Sequence, residues 1–466
     1  MPKARKAIMF LTHALQGEKG LLNIDYLYGH SGVGIYKEDG TYQAIPYEGV
    51  GNGYWDVTAS SEINLESNTY FYQALNAMSY LEDSVIAADI EFDDEVLTVM
   101  NRIPGEERIS YSYTSESLKS LAKLVKENME KDINPVLKEN GRYQNEGGFY
   151  NKETGRFALG INELTGKVND YGFVYFNEEA VAAGIGTETQ QQSIMSWING
   201  DRIVSGDKST GDDIYFYEFA PRSTTKDCEE VYSFSTLSIF SYLLNYGMST
   251  WSRQVQNGGA VITWSYYDLI CREKVLGKEN AYKRFKEIKD WYLKVLDNTT
   301  QDGIDFYSGY YDALQDQAIL ENEEMENVYS IQDSLRKGPG AMGLDAEFIE
   351  SVILVKAIPD TFFKMDTLCY DNISFTNNKP KDLDFYQIEN MKYKDAIYSV
   401  RLGSGSIEIF NIKGIVSKDQ MLTLRIPTSK VNIRVFVNNV TTHDYEIIDG
   451  YVNLTIPFDN VKVFIR

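Results

Sequence analysis

Residues 51–82 read GNGYWDVTASSEINLESNTYFYQALNAMSYLE. The second half of this stretch decides the fold class. Phe71, Ala74, Leu75 and Met78 recur at helical spacing, so one apolar face runs along a helix over 67–83. The first half is a glycine-punctuated loop holding Tyr54, Trp55 and Asp56. An aspartate serving that helix would cap its first turn, and Asp56 comes about ten residues too early for this. The loop instead sets a carboxylate beside two aromatic rings, surroundings that mark a site candidate.

The same helical period continues outward. Leu118, Leu121, Ala122, Val125 and Met129 mark a helix over 116–131, with Ser115 as its expected cap. Further helices are expected at 177–184, 187–199, 233–245, 260–275, 279–297 and 345–357. At the start of the chain, Ile8, Leu11 and Leu15 also fall at helical spacing. Thr12 and His13 interrupt the apolar run there, and no small-residue cleavage pattern follows. The segment therefore reads as an amphipathic first helix rather than a signal peptide, and the cytoplasm is the expected location. Residues 147–180 carry paired aromatics and glycine turns that suggest a short hairpin projecting from the helical body.

Helices joined by alternating short and long loops, with no internal repeat, fit a mainly α fold. The expected form is an (α/α)6 toroid of helical hairpins over residues 1–365. From 366 the period changes to two. Residues 397–412 (IYSVRLGSGSIEIFNI), 422–427, 431–439 and 450–457 alternate apolar and polar residues between Gly, Asn and Pro. They predict a small antiparallel β domain of sandwich type over 366–466.

Composition narrows the function. The 466 residues include 68 acidic and 45 basic side chains, a net charge of −23. Nucleic acid and anionic membrane surfaces are disfavoured as partners, and no run has the apolar length of a membrane span. Cys228, Cys271 and Cys369 are far apart, and there are only 3 His, so no metal-type spacing is present. No cofactor or metal is expected. The 34 Tyr and 5 Trp offer apolar faces with polar rims, which suit sugar rings, although most of them serve as packing.

Four segments in order resemble the six-hairpin glycosidases, most closely the cellobiose phosphorylase family of inverting sugar enzymes. The first is Tyr54-Trp55-Asp56 with the helix YFYQALNAMSYLE. The second runs from FYNKETGRFALGIN (149–162) through FVYFNEEAVAAGIGTETQQQSIMSWI (173–198). The third is VQNGGAVITWSYYDLICREKVLGKENAYKRFKEI (255–288), and the fourth GPGAMGLDAEFIESVILV (338–355). The resemblance implies an (α/α)6 barrel with loops building the active site at one end, a glycosidic substrate and a carboxylic acid as proton donor. The chain departs from the phosphorylases in three places. They carry a large N-terminal β domain, where this chain reads as helix from the start. They carry a His after the Asn-Gly-Gly loop, where AVITW stands here. They carry small hydroxyl residues where Gly343-Leu344-Asp345-Ala346-Glu347 stands here. Two carboxylates would repel phosphate, and they suit a base that activates water.

Inverting hydrolysis needs a protonated carboxyl on one side of the bond and an ionised one on the other, about 6.5–9.5 Å apart. Asp56 is the expected acid. Glu347 is the expected base, with Asp345 as its rival; both also suit the first turn of a helix, where the dipole favours acids. Tyr54, Trp55, Asp170, Tyr171, Glu178, Arg222, Gln256, Asn257 and Trp264 are the expected sugar-binding residues, Gln256 and Asp170 foremost. Amides and carboxylates exchange hydrogen bonds with hydroxyls, and Trp stacks on a ring; ordinary loop packing is the alternative for each. A glycoside phosphorylase and a non-catalytic carbohydrate-binding protein are the competing functions. Oligomeric state is not legible.

Overall fold

A computed structural model describes residues 1–24, 34–36, 42–44, 61–87, 89–92, 96–100, 106–163, 165–215, 220–226, 258, 260, 262–296, 353–366, 371–430 and 432–466. The expected helix at 233–245 and residues 345–352 of another lie outside these residues. The chain divides into two compact units: Met1–Cys271 with Lys286–Val352, and Arg272–Phe285 with Ile353–Arg466.

The described residues hold eight α-helices and a C-terminal β region. The helices are α1 (Pro2–Met9), α2 (Leu65–Ala87), α3 (Ser115–Met129), α4 (Val174–Ala183), α5 (Glu188–Ile198), α6 (Ser265–Leu276), α7 (Lys278–Leu296) and α8 (Ile353–Ile358). The strand content makes "mainly α" only part of the description.

In the first unit α2 is the long element. It buries Phe71, Leu75 and Met78, the stripe read from the sequence. Arg5 of α1 forks onto Glu82 of α2, with Nε–Oε1 at 2.9 Å and a second nitrogen at 2.7 Å from Oε2. A planar guanidinium matches a carboxylate in this two-point way, which fixes the first helix against the second. The cap of α3 is Thr114, not Ser115. Its hydroxyl accepts from the Ser117 amide, and the Ser117 hydroxyl accepts from the Thr114 amide. Thr187 and Gln190 make the same reciprocal cap for α5. Both satisfy orphan amides at a helix start.

The hairpin of 147–180 is present but small and embedded. After the short antiparallel pairs β1 (Gly34–Tyr36) with β2 (Tyr42–Ala44), β3 (Val96–Met100) with β4 (Glu106–Ser110) and β5 (Pro135–Leu137) with β6 (Tyr143–Asn145), strands β7 (Tyr150–Asn151) and β8 (Arg156–Phe157) pair through Tyr150↔Phe157. Phe149 and Phe157 are buried, so the hairpin does not project. Its anchor is Asn177 of α4. The Asn177 side-chain amide accepts from the Phe157 amide at 2.9 Å and donates to the Phe157 carbonyl at 3.0 Å. It therefore stands in for a neighbouring strand. Helix α4 is buried at every position from Val174 to Val181, polar residues included. That makes it an interior helix rather than a surface one.

In the second unit two sheets share one core. The larger has the order β10-β11-β12-β18-β14-β15 and the smaller β16-β17-β13-β9. Here β9 is Asn372–Thr376, β10 Phe385–Tyr393, β11 Ala396–Gly403, β12 Ser406–Gly414, β13 Met421–Pro427, β14 Val435–Val437, β15 Val440–Thr442, β16 Glu446–Ile448, β17 Tyr451–Pro457 and β18 Val461–Ile465. Inward residues alternate as the period of two demands: Val400 and Leu402, Ile407 and Ile409, Leu422, Leu424 and Ile426, Val452 and Leu454. One pairing departs from the antiparallel expectation, because β13 runs parallel to β9. Between them the chain crosses to the other sheet to make β10–β12, and a crossover of that length permits parallel neighbours.

Asn177→Ala strands the buried amide and carbonyl of Phe157. We expect a loss of about 2–4 kcal/mol, seen as a lowered midpoint in urea unfolding with an unchanged slope.

Candidate functional site

Three helices of the first unit bring tyrosines around a buried carboxyl. On α2, Glu66 and Tyr70 lie one turn apart; on α4, Tyr175 and Glu179 do the same. The Tyr70 and Tyr175 hydroxyls are 3.5 Å apart. From α6, Tyr267 meets the Tyr175 ring at 5.6 Å and packs against Tyr266 at 5.0 Å. Trp264, in the turn entering α6, lies 5.4 Å from the Tyr175 ring.

Glu179 sits inside this cluster with no exposed surface, and its carboxyl oxygens face the Tyr70 and Tyr267 hydroxyls without closing a hydrogen bond of ordinary geometry. Burial pushes its pKa from 4.5 up to about 8, and the nearby charge of Glu66 adds to the rise. The Tyr70 and Tyr267 hydroxyls pull it part of the way back. Glu179 is therefore a carboxylic acid that keeps its proton at neutral pH. Burial raises the pKa of Tyr70, Tyr175 and Tyr267 as well, with the Glu179 charge contributing to each. Tyr70 remains 43% exposed, so the cluster reaches the surface through it.

A second arrangement lies one residue along each helix. Glu178 of α4 and Asp268 and Cys271 of α6 are all buried, and their ligand atoms lie within 4.8 Å of one another. The Tyr215 hydroxyl donates to Asp268 Oδ1 at 2.9 Å. Two carboxylates and a thiol form a mixed hard and soft donor set, which a divalent cation of the zinc type accepts. The cysteine tally showed no such spacing, because the carboxylate from α4 comes from ninety residues away in the chain.

A third arrangement is built on Arg156 of β8, which is 1% exposed. Its Nε donates to Asp170 at 2.7 Å, and its two terminal nitrogens donate to Asp207 at 2.6 and 3.0 Å. Burial alone would lower the guanidinium pKa, but the two carboxylates outweigh burial and hold it above its usual value. Trp197 of α5 lies 4.5 Å from the guanidinium and donates to Asp207. Gly172 at φ +63° passes so close that a Cβ there would collide with the Thr225 hydroxyl and the guanidinium.

The expected sugar-binding residues are spread over these arrangements. Asp170 accepts from Arg156, Asn151, Thr154 and the Gly172 amide, so its oxygens are engaged inside the protein. Tyr171 is buried edge-on to Phe173 at 6.0 Å. Glu178 lies in the donor set with Asp268 and Cys271, and Trp264 is buried in the tyrosine cluster. Arg222 is buried. It donates to the Asp213 carbonyl and carboxylate and, at 2.9 Å, to the Gly258 carbonyl. The Ser223 hydroxyl accepts from the Gly258 amide at 3.0 Å. Together they clamp the first glycine of the Asn-Gly-Gly loop, held at φ +87°. Tyr54, Trp55, Asp56, Gln256, Asn257, Asp345 and Glu347 lie outside the described residues. The sequence reading missed Glu179, Tyr70, Tyr175 and Tyr267. Their signal was the four-residue spacing of Glu66 with Tyr70 and of Tyr175 with Glu179.

No family model matches the chain, and no curated protein matches its sequence. Solved structures do. An α-L-rhamnosidase from Dictyoglumus thermophilum aligns at a TM-score of 0.40 and 12% identity, covering 99% of this chain and 36% of that one. A GH127 β-L-arabinofuranosidase from Geobacillus stearothermophilus T6 aligns at 0.20 and 12% identity, over 63% of this chain and 42% of that one. A protein described as a glycoside hydrolase aligns at 0.21 and 11% identity, over 75% and 52%. The chain spans 36% of the length of the rhamnosidase. The likeness is slight, and the functional reading rests on the residues instead. Among the described residues, no helix is long and apolar enough to cross a membrane.

Two substitutions test these arrangements. Arg156→Met leaves two buried carboxylates uncompensated and is expected to cost about 3–5 kcal/mol, read by urea unfolding together with a change in Trp197 fluorescence. Glu179 binds its proton more tightly folded than unfolded. Its contribution to stability is therefore complete below about pH 4.5 and is lost as the pH rises through about 8. That loss is on the order of 5 kcal/mol. Glu179→Gln, which carries no charge at any pH, is expected to flatten the decline between these limits in urea midpoints measured across pH.

Proposed function

We propose that the chain is a glycoside hydrolase that cleaves a glycosidic bond with inversion, on an (α/α)6 toroid spanning residues 1–365 with a β-rich remainder. The observation that carries this reading is the aromatic cluster of Tyr70, Tyr175, Tyr267 and Trp264, which reaches the surface through Tyr70. Aromatic faces with polar rims suit the flat apolar faces and outward hydroxyls of a sugar. The clamp on Gly258 gives further support, because it fixes the residue that directly follows Gln256 and Asn257 in the sequence. Binding loops of this kind work when a rigid scaffold fixes them.

In this reading Asp56 protonates the leaving oxygen, and Glu347 or Asp345 deprotonates the attacking water. The acidic pair at 345 and 347 is what favours water over phosphate as the nucleophile. No cofactor takes part, and the partner is a carbohydrate.

The experiment is sugar release from a panel of α- and β-linked oligosaccharides, with and without inorganic phosphate, followed by anomeric NMR. Free sugar of inverted configuration without phosphate is the expected result. Sugar phosphate formed only with phosphate would replace the hydrolase by a phosphorylase, and no turnover on any substrate would favour a binding protein. Asp56→Asn is expected to lower kcat by about 10²–10⁴-fold while leaving the unfolding midpoint in place.

A further inference from the structure

The core of the second unit takes one side of the larger sheet, and the strand register fixes what stands on the other. Gln387, Arg401, Glu408 and Lys462 form one row across β10, β11, β12 and β18. In the next row Phe464 of β18 lies opposite Phe436 of β14, and their rings stack at 4.8 Å and 9°. Beyond them the backbones of Arg466 and Arg434 pair through two hydrogen bonds of 3.0 Å. Val435 and Val463 belong to the core, so the two-residue period turns both arginines outward beside the rings. Arg434 and Arg466 are exposed.

Rings and cations alternate on this face. The Arg401 guanidinium lies 5.2 Å from the Phe385 ring and 5.1 Å from the Phe410 ring. The Arg466 guanidinium lies 5.6 Å from the Phe436 ring and 5.1 Å from the Phe464 ring. Phe385 is 54% exposed. Within these rows the four cations Arg401, Arg434, Lys462 and Arg466 stand against the carboxylate of Glu408, in a chain whose net charge is −23. Glu408 is 3.6 Å from Arg401 and 3.8 Å from Lys462, contacts longer than a closed hydrogen bond. Arg434 and Arg466 face each other across a strand pair, where like charges repel. An anion placed between them removes that repulsion.

We propose that this outer sheet face binds a short oligosaccharide whose sugars carry carboxylates. The stacked phenylalanines and Phe385 offer flat apolar surfaces to sugar rings, and the guanidiniums beside them match carboxylates at two points. From Arg401 on β11 to Arg434 before β14 the face crosses three strand spacings, about 14 Å, which suits an oligosaccharide and not a single sugar. Glu408 decides against a densely charged polymer. In the middle of the face it repels a phosphate backbone, whereas a sugar hydroxyl donates to it. The negative charge elsewhere on the chain is screened beyond about 8 Å at physiological salt, so the local cations govern a short ligand.

The face belongs to the second unit and goes beyond the hydrolytic reading, which supplies only the preference for a saccharide over another organic acid. The test is calorimetric titration of the full chain with tetragalacturonate, and it reads no turnover. Failure of the hydrolase reading therefore leaves its result standing, and the reverse holds as well. Binding is expected at low salt and is expected to weaken as salt is added. The fully methyl-esterified oligomer keeps the rings and loses the charges, and is expected to bind about tenfold more weakly. Replacing both exposed arginines, Arg434→Gln with Arg466→Gln, removes two surface ion pairs and is expected to cost a similar factor, with the unfolding midpoint in place. Phe436→Ala is expected to weaken acid and ester alike. No binding of tetragalacturonate, equal binding of the ester, or unchanged binding in the double arginine variant would overturn the proposal. Tighter binding of an oligothymidylate of equal charge would give the face to nucleic acid, and self-association lost in the double variant would give it to a second copy; either result also overturns it.

Discussion

The first unit depends on a guanidinium taken out of water. Arg156 satisfies two carboxylates that are themselves buried, Asp170 on one side and Asp207 on the other. Removing either kind of partner leaves charge in a low-dielectric interior, so the members stand or fall together. The network reaches into parts of the chain that share no secondary structure. It joins β8, the segment before α4, the loop after α5, the bend at Thr225 and the Trp197 indole. Helix α4, which carries Glu178 and Glu179, enters the interior from this platform.

Among the described residues, most of the helical frame was legible because its apolar positions repeat at helical spacing. Phe71, Leu75 and Met78 predicted α2 to within a few residues of its ends, and the Thr-Ser-Glu run before α3 needed only a shift of one residue in the cap. The C-terminal strands were legible for the same reason at period two. The parallel pairing of β9 with β13 was not, because it follows from a change of sheet between them that no local pattern records. The toroid is not among the things the described residues display.

The site was less legible, for an electrostatic reason. Two adjacent glutamates in Asn-Glu-Glu-Ala look like a solvated surface, since charged residues are seldom buried without compensation. Here both are interior, Glu179 by holding a proton and Glu178 within reach of Asp268 and Cys271. At Asp170 the hidden part was the ion pair. It stands between Asn169 and Tyr171 in a glycine-rich loop, as a ligand-binding residue would, yet its acceptor capacity is taken by Arg156, fourteen residues earlier. A sequence shows that a carboxylate is present and not which donor has already claimed it.

The placement of β18 has a consequence for how the second unit is made. This final strand lies in the middle of the larger sheet, hydrogen-bonded to β12 on one side and β14 on the other. Until Val461–Ile465 arrive, β12 ends in an open edge and β14 with β15 is a separate ribbon. The sheet therefore cannot be completed progressively as the chain emerges. Its closure waits on contacts between segments far apart in sequence, the kind of topology that folds slowly and late.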